Sequence, residues 1–186
     1  MINYLKLWCI FLFSCVSGNL EIDTRNELFK NYNKYIVPNN GVSLDIGITI
    51  KNLEYFDQKA EKIKFNIILH EEWDDLNLTW NNSVNYLLIN DKVIWKPDLE
   101  LYNSASEPEV YENSIIQLYK NGHISWDRPI LYSFSCPLEL QDFPFDKQKC
   151  TMIFGSWKYS ANSLDLRPFN NHTKFKNITV DPKFSH

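Results

Sequence analysis

The chain has 186 residues, a formal net charge of −4 at pH 7 and an aromatic content of 15 %. Its length suits one domain with a sizeable core, and its acidic balance gives no electrostatic basis for binding nucleic acid. The many aromatic and β-branched residues favour strands over helices.

The first residues have the pattern of a cleaved secretory signal. One positive charge precedes an apolar run over residues 7–16, and small residues follow at positions 17 and 18. This run is shorter than the about 20 residues of a membrane-spanning helix. We therefore expect a signal peptide over residues 1–18 and one domain over residues 19–186.

One short helix and two long strands are predicted next. Potential capping residues at 23–27 precede four apolar residues with helical spacing, and turn residues at 38–41 end the pattern. The four apolar residues are Leu28, Phe29, Tyr32 and Tyr35. Alternation of apolar and polar residues then predicts half-buried strands over 43–51 and 63–70, with Ile68 as an apolar exception on the outward face of the second.

The middle of the chain predicts a loop followed by a hairpin. Residues 81–92 have the composition of a connecting loop. Strand-like runs over 111–119 and 123–134 flank Asn121-Gly122, which supplies the positive φ values of a tight primed turn. The acidic pairs at 71–72 and 74–75 are predicted to lie on the solvated surface, with a cation site as the less favoured alternative.

Two cysteines at the end of this hairpin, Cys136 and Cys150, enclose 13 residues. The other two cysteines lie in the expected signal peptide, so this pair has no competitor in an oxidising compartment. A bridge closing such a loop contributes roughly 3 kcal/mol in the chain-entropy model. On the two cysteines alone, a generic small disulfide hairpin is as good an interpretation as any particular family.

The enclosed segment has two further features. Leu138 and Leu140 alternate with Glu139 as the edge of a strand would. An apolar turn flanked by charge follows. This turn consists of Phe143, Pro144, Phe145 and Asp146.

Export also agrees with four Asn-x-Ser/Thr sequons. Because sequons arise by chance in an Asn-rich chain, the signal peptide is the stronger indication of an extracellular location. The candidate glycosylation sites are Asn77, Asn81, Asn171 and Asn177.

Several motifs together resemble those of the Cys-loop (pentameric) ligand-gated ion channels. The spacing of the two cysteines, with aliphatic residues, Pro144 and Asp146 between them, is similar to the signature loop of that family. Other matches are Trp73-x-Asp75, Trp80-Asn81, Trp95-Lys96-Pro97-Asp98, Tyr102-Asn103-Ser104-Ala105, Gly155-Ser156-Trp157-Lys158-Tyr159 and Ser163-Leu164-Asp165-Leu166. The Tyr-Asn-Ser-Ala motif indicates acetylcholine-receptor-like members, and the resemblance covers about residues 25–166.

The resemblance implies both a fold and a function. The expected fold is an all-β, Ig-like sandwich with one short N-terminal helix. The expected function is that of the extracellular agonist-binding domain of an acetylcholine-gated cation channel subunit, located on the postsynaptic membrane. Its implied partners are acetylcholine or a similar quaternary ammonium agonist and the other subunits of a pentamer. Contact with the membrane would come only through a channel domain, against which the turn at residues 143–146 would rest as a coupling loop.

Two aromatic residues are the candidates for agonist binding. A quaternary ammonium has no proton to donate, so a protein holds it against ring faces, each contributing about 0.5 to 2 kcal/mol. By resemblance, Tyr102 and Trp157 match the family's agonist box, with Trp157 as its central ring. Without the resemblance, either residue would be interpreted as a core or interface aromatic.

No enzymatic chemistry is predicted. The four histidines are scattered, and the sequence has neither a Gly-rich phosphate loop nor the spacing of metal ligands. We assign no catalytic residue, no metal and no cofactor.

The chain departs from the family pattern at two points. Ile68 stands where subunits that supply the complementary side of the pocket commonly have a tryptophan. No part of the chain matches the closing loop of the family's pocket with its adjacent cysteines, the family's last strands or its four membrane helices. This predicts a domain truncated before its last strands. The alternatives are a secreted acetylcholine-binding-type protein and a truncated, dominant-negative subunit, although the 13-residue loop with its apolar tip favours the channel.

Overall fold

The computed structural model describes residues 20–111, 115–141 and 145–169, and the backbone of 178–180. Helix α1 covers residues 20–29, and a short 3-10 turn covers Pro38–Asn40. The strands are β1 (Val42–Asp57), β2 (Lys62–Asp74), β3 (Tyr86–Asn90), β4 (Leu99–Leu101), β5 (Glu109–Val110), β6 (Ile115–Tyr119), β7 (His123–Ser135), β8 (Met152–Ser156), β9 (Leu164–Pro168) and β10 (Ile178–Val180).

Within the described residues, the strands form two sheets. The larger has the order β3-β6-β7-β2-β1-β9, with β5 also paired to β7, and the smaller has the order β10-β8-β4. Neighbouring strands are antiparallel, except that β1–β9 and β8–β10 are parallel. The predicted all-β sandwich with an N-terminal helix is thereby confirmed.

The core lies between the two sheets because alternate residues of the long strands face inward. Leu44 and Ile46 of β1 are fully buried, as are Ile67 and Leu69 of β2, so the period of two in the sequence located both strands correctly. Aromatic rings pack against one another in this core, and the Tyr132–Phe154 pair joins the two sheets. The rings form edge-on pairs at Trp73–Trp95, Trp73–Trp126 and Tyr132–Phe154, with ring centroids 6.1, 6.5 and 5.9 Å apart.

The surface location predicted for both acidic pairs is wrong for one residue of each. Glu71 and Asp75 are fully buried. Glu71 lies on the core face of β2, where its carboxylate accepts a 2.6 Å hydrogen bond from Arg128 Nε. Burial raises the pKa of the Glu71 carboxyl, and the Arg128 guanidinium opposes that rise. Asp75 follows β2 directly and accepts a hydrogen bond from Tyr32.

The predicted helix is too long at its C-terminal end. Helix α1 ends at residue 29, and Tyr35 lies beyond it with 82 % of its surface exposed. The Asn33 side chain accepts the Tyr35 backbone N–H at 3.0 Å, and the Asn33 carbonyl accepts that of Ile36 at 3.2 Å. These local bonds replace the helical ones, so Tyr35 does not join Leu28 and Phe29 against the core.

Three other local predictions are also wrong. Residues 81–92 contain strand β3, whose Leu87 and Ile89 are buried. The β6–β7 turn is not a primed two-residue turn, because only Gly122 has a positive φ, of 84°. Its N–H bonds to the Tyr119 carbonyl, which is typical of a longer hairpin loop closed by glycine. Residues 136–140 form no strand, and Leu140 is exposed.

Candidate functional site

The structure brings the two predicted agonist-binding aromatics into contact. Tyr102 follows β4 and Trp157 follows β8, and their ring centroids are 5.0 Å apart at an angle of 58°. Because β4 and β8 are antiparallel, the two residues leave the strand pair at opposite ends, and the Tyr102 ring extends across Gly155 to reach Trp157. Trp157 is 76 % exposed, so one aromatic surface is open to solvent.

The orientation of the Tyr102 ring depends on its neighbours in β8. Its hydroxyl donates a 2.8 Å hydrogen bond to the Ser156 carbonyl. The ring lies directly over Gly155, where an added Cβ would be 2.3 Å from Tyr102 Cζ. Burial raises the pKa of the Tyr102 hydroxyl, and the negative charge of Asp98 raises it further, so the hydroxyl remains a neutral donor. Glycine is therefore required beneath this ring for steric reasons.

The Asp98 carboxylate holds the segment that carries Trp157. One oxygen accepts a hydrogen bond from Ser156 Oγ at 2.6 Å, and the other accepts the N–H groups of Trp157 and Lys158 at 3.1 and 2.8 Å. Ser156 Oγ in turn accepts the Tyr159 N–H at 2.9 Å. The sequence placed Asp98 in a motif without giving it this role. The sequence signal that could have indicated this role is an acidic residue that follows a proline and directly precedes a strand.

A second set of bonds supports the site from the core. The Trp95 indole Nε1 donates to the Tyr159 hydroxyl at 3.2 Å, and the two rings lie 5.8 Å apart. The Trp95 backbone N–H donates to the Tyr32 hydroxyl at 3.2 Å, and that hydroxyl donates to Asp75 Oδ2 at 2.7 Å. Burial raises the pKa of Tyr32, and its hydrogen bond to Asp75 adds to the rise. Trp95 and Tyr159 lie in two of the motifs that resemble the family's. Those motifs did not indicate the hydrogen bond between the two residues.

Ile68 lies on a different sheet from the aromatic pair. It is half-buried on β2, where it pairs with Thr49 and Pro129 in the larger sheet. Tyr102 and Trp157 follow strands of the smaller sheet. The position at which the complementary side would carry a tryptophan is thus separate from the aromatic pair.

The predicted disulfide between Cys136 and Cys150 is present, with their Cα atoms 5.0 Å apart. Inside the loop, the Gln148 amide accepts the Glu139 N–H at 3.0 Å and donates to the Glu139 carbonyl at 3.1 Å. The Gln148 side chain therefore makes the two hydrogen bonds that a neighbouring strand would have made with Glu139.

The tip of the disulfide loop is described only in part. Phe145 is 88 % exposed, and the Asp146 carboxylate accepts a hydrogen bond from the Gln148 amide. Phe143 and Pro144 lie outside the described residues. Among the sequons, Asn77 and Asn81 are exposed, whereas Asn171 and Asn177 lie outside the described residues.

The described residues contain neither a candidate metal site nor a helix that could span a membrane. Within residues 20–111, 115–141 and 145–169, no group of three or more His, Cys, Asp or Glu side chains is placed to hold a metal ion. Over the same part of the chain, no helix has the length and apolar character needed to span a membrane.

Together, the two sheets, the disulfide loop and the aromatic pair define a disulfide-bonded β-sandwich domain that presents an aromatic surface to solvent. The family described as the neurotransmitter-gated ion-channel ligand binding domain matches residues 21–185. The chain belongs to this family.

The relatives of the chain include several receptor subunits. It is 32 % identical over 188 aligned positions to "Neuronal acetylcholine receptor subunit alpha-2" of Gallus gallus, an alignment that covers 92 % of this chain and 36 % of the relative. It is 34 % identical over 166 positions to "Neuronal acetylcholine receptor subunit beta-4" of Homo sapiens, covering 82 % of this chain and 33 % of the relative. The chain thus spans about a third of the length of these relatives.

Proposed function

We propose that this chain is the extracellular agonist-binding domain of an acetylcholine-gated cation channel subunit, in which Tyr102 and Trp157 contact the agonist. The observation that carries the proposal is the contact between these two rings at 5.0 Å, with most of the Trp157 surface exposed. Ring faces are the groups that recognise a quaternary ammonium. The names of the related acetylcholine receptor subunits support the same agonist class.

The surroundings of the two rings suit a cation. The Asp98 carboxylate accepts the Trp157 backbone N–H and acts electrostatically on the Tyr102 hydroxyl, so negative charge lies near both residues. Its hydrogen bonds to Ser156, Trp157 and Lys158 hold the backbone that carries the indole before any ligand arrives. Such preorganisation lowers the entropic cost of binding.

Two rings alone are insufficient for tight binding. They supply roughly 1 to 4 kcal/mol, whereas micromolar affinity requires about 8 kcal/mol. We therefore propose that a neighbouring subunit of a pentamer supplies further contacts, and that this chain provides the principal side of the shared pocket. Ile68, in place of a tryptophan, makes this chain a poor complementary side.

The disulfide loop supports a role in a channel rather than in a secreted binding protein. Phe145 is 88 % exposed, and the Cys136–Cys150 bond restrains the segment that carries it. An apolar side chain held in solvent by a covalent loop is suited to contact a further surface. We propose that this surface is a membrane domain and that residues 143–146 couple agonist binding to it at the postsynaptic membrane.

The proposal can be tested by calorimetry and by current recording. The 186-residue chain alone should bind acetylcholine with a dissociation constant of about 1 mM or weaker. For recording, the chain is joined to the closing loop and membrane domain of a related subunit and co-assembled with a subunit that carries the complementary tryptophan. Acetylcholine should then evoke a current, and Trp157→Ala should raise the half-maximal concentration about tenfold or more.

The matched control is Tyr86→Ala, which removes an exposed ring from β3 in the larger sheet. This variant should leave the half-maximal concentration unchanged. Equal effects of the two substitutions would exclude Trp157 from the agonist site. Micromolar binding by the chain alone would contradict the need for a neighbouring subunit.

A further inference from the structure

A surface pocket of about 630 Å³ lies between the segment that follows α1 and the loop before β4. No part of the proposed agonist site lines it. Three of its lining residues are lysines and three are aromatic, and none is acidic. The lining residues are Phe29, Lys30, Asn31, Tyr32, Asn33, Lys34, Tyr35, Lys92 and Val93.

The three lysines are the charged side chains of the pocket lining. Lys30, Lys34 and Lys92 make no ion pair with any residue of the described chain, although the whole protein is acidic. The Lys34 ammonium donates one 2.7 Å hydrogen bond to the Lys92 carbonyl. Because an ammonium has three N–H donors, two remain for a ligand. An anion would therefore gain charge-assisted hydrogen bonds here.

The aromatic residues give the pocket a flat apolar wall. The Tyr35 ring is 82 % exposed, and the Lys34 ammonium lies 5.4 Å from its centroid. Phe29 and Tyr32 pack edge to face with centroids 5.6 Å apart. An apolar body could cover the Tyr35 ring while its anionic group meets Lys34. Burying an exposed ring in this way is favourable.

The pocket is also held in shape before any ligand binds. The Tyr32 hydroxyl is fixed between the Asp75 carboxylate and the Trp95 N–H, and the Asn33 side chain holds the backbone at Tyr35. The Lys34 bond to the Lys92 carbonyl ties the two walls together. Little conformational entropy has to be lost on binding, which favours a specific site even at an open surface.

From these features we propose that this pocket binds a small organic anion, a sulfonate, sulfate ester or carboxylate attached to a flat apolar body. The anionic group lies against Lys34 with Lys30 and Lys92 around it, and the apolar body covers Tyr35. This ligand class has the opposite charge to the agonist. Neither Tyr102 nor Trp157 lines the pocket, so the site is separate from the proposed agonist site.

The test uses 4-fluorobenzenesulfonate as the probe, with ¹⁹F line width reporting binding to the secreted chain, which is expected to begin at residue 19. Its neutral isostere, 4-fluorobenzenesulfonamide, separates charge recognition from ring burial. The pocket variant carries Lys30→Gln, Lys34→Gln and Lys92→Gln. The control variant carries Lys51→Gln, Lys59→Gln and Lys62→Gln, which remove the same charge from three exposed lysines of the β1–β2 hairpin.

The sulfonate should bind the wild type saturably at low salt, and about tenfold more weakly to the pocket variant. The control variant should bind like the wild type, and 0.5 M salt should weaken binding to both. Tyr35→Ala should weaken the sulfonate while leaving its salt dependence unchanged. Every substituted residue is exposed, so we expect each variant to fold. The midpoint of urea unfolding checks this for each one.

Three results would overturn the proposal. Equal weakening by the pocket and control variants would show attraction to net charge alone. Equal binding of the sulfonamide would show an apolar site without anion recognition. Failure of the sulfonate to saturate at low salt would show that no site exists. None of these results bears on the agonist-site proposal, because acetylcholine is not used.

Discussion

Replacing Gly155 with alanine tests how closely Tyr102 must approach β8. The added Cβ would lie 2.3 Å from Tyr102 Cζ and Oη and 2.4 Å from Cε2. Non-bonded carbons are stable at about 3.5 to 4 Å, so the ring must move by roughly 1 Å or more. That movement breaks the 2.8 Å bond from the Tyr102 hydroxyl to the Ser156 carbonyl and separates the ring from Trp157.

The expected loss of stability combines three effects. Overpacking costs about 1 to 3 kcal/mol, and losing the hydrogen bond costs about 1 kcal/mol. Replacing glycine reduces the entropy of the unfolded chain, which offsets about 0.4 to 1 kcal/mol. Gly155→Ala should therefore lower the free energy of unfolding by about 1 to 3 kcal/mol.

A second strand glycine provides the matched control. A Cβ at Gly47 in β1 would lie 3.4 Å from the Cβ atoms of His70 and Phe169, and neither glycine has a positive φ. Gly47→Ala should thus change the free energy of unfolding by less than about 1 kcal/mol. Urea unfolding followed by tryptophan fluorescence measures both variants. Equal midpoints for the two would show that the close approach of Tyr102 to Gly155 is not required.

Three further predictions concern the disulfide, the glycan and the response to alkali. Cys136→Ser should lower the free energy of unfolding by about 2 to 5 kcal/mol. Non-reducing peptide mapping that detects free thiols at Cys136 and Cys150 in the folded wild type would contradict the bond. Asn81 is exposed, so Asn81→Gln should lower the intact mass of the secreted chain by one glycan; an unchanged mass would exclude modification there. Burial raises the pKa of Tyr132 to about 12, so the unfolded chain loses this proton near pH 10 while the folded chain retains it. The resulting stability is present below about pH 10 and is lost by about pH 12, at roughly 1.4 kcal/mol per pH unit. Urea unfolding between pH 9 and 12 should show a shallower decline for Tyr132→Phe, and identical slopes would refute this assignment.

The sequence alone determined the features that depend on local pattern or on counting. The alternation around Leu44 and Ile67 predicted β1 and β2, because a strand with one buried face must repeat every two residues. The disulfide followed from the number of cysteines outside the expected signal peptide. The short motifs around Trp95 and Trp157 indicated the family that the comparisons confirmed.

Tertiary structure decided the features for which local pattern was misleading or absent. Strand β3 exists because Leu87 and Ile89 pair with Leu118 and Ile116 of β6, which lie far along the chain. Asp75 looked like a surface carboxylate, but its burial depends on a hydrogen bond from Tyr32, 43 positions earlier. Such partners are brought together only when the chain folds.

The candidate site also combines features that the sequence predicted with features that only the tertiary structure decided. The residue types at Tyr102 and Trp157 could be read from motifs, but their contact could not. It depends on the antiparallel pairing of β4 with β8, on the absence of a side chain at Gly155 and on the three hydrogen bonds accepted by Asp98. Each of these joins residues about 50 to 60 positions apart, and no periodicity in a sequence encodes a distance between such segments, because that distance is set by the packing of the sheets.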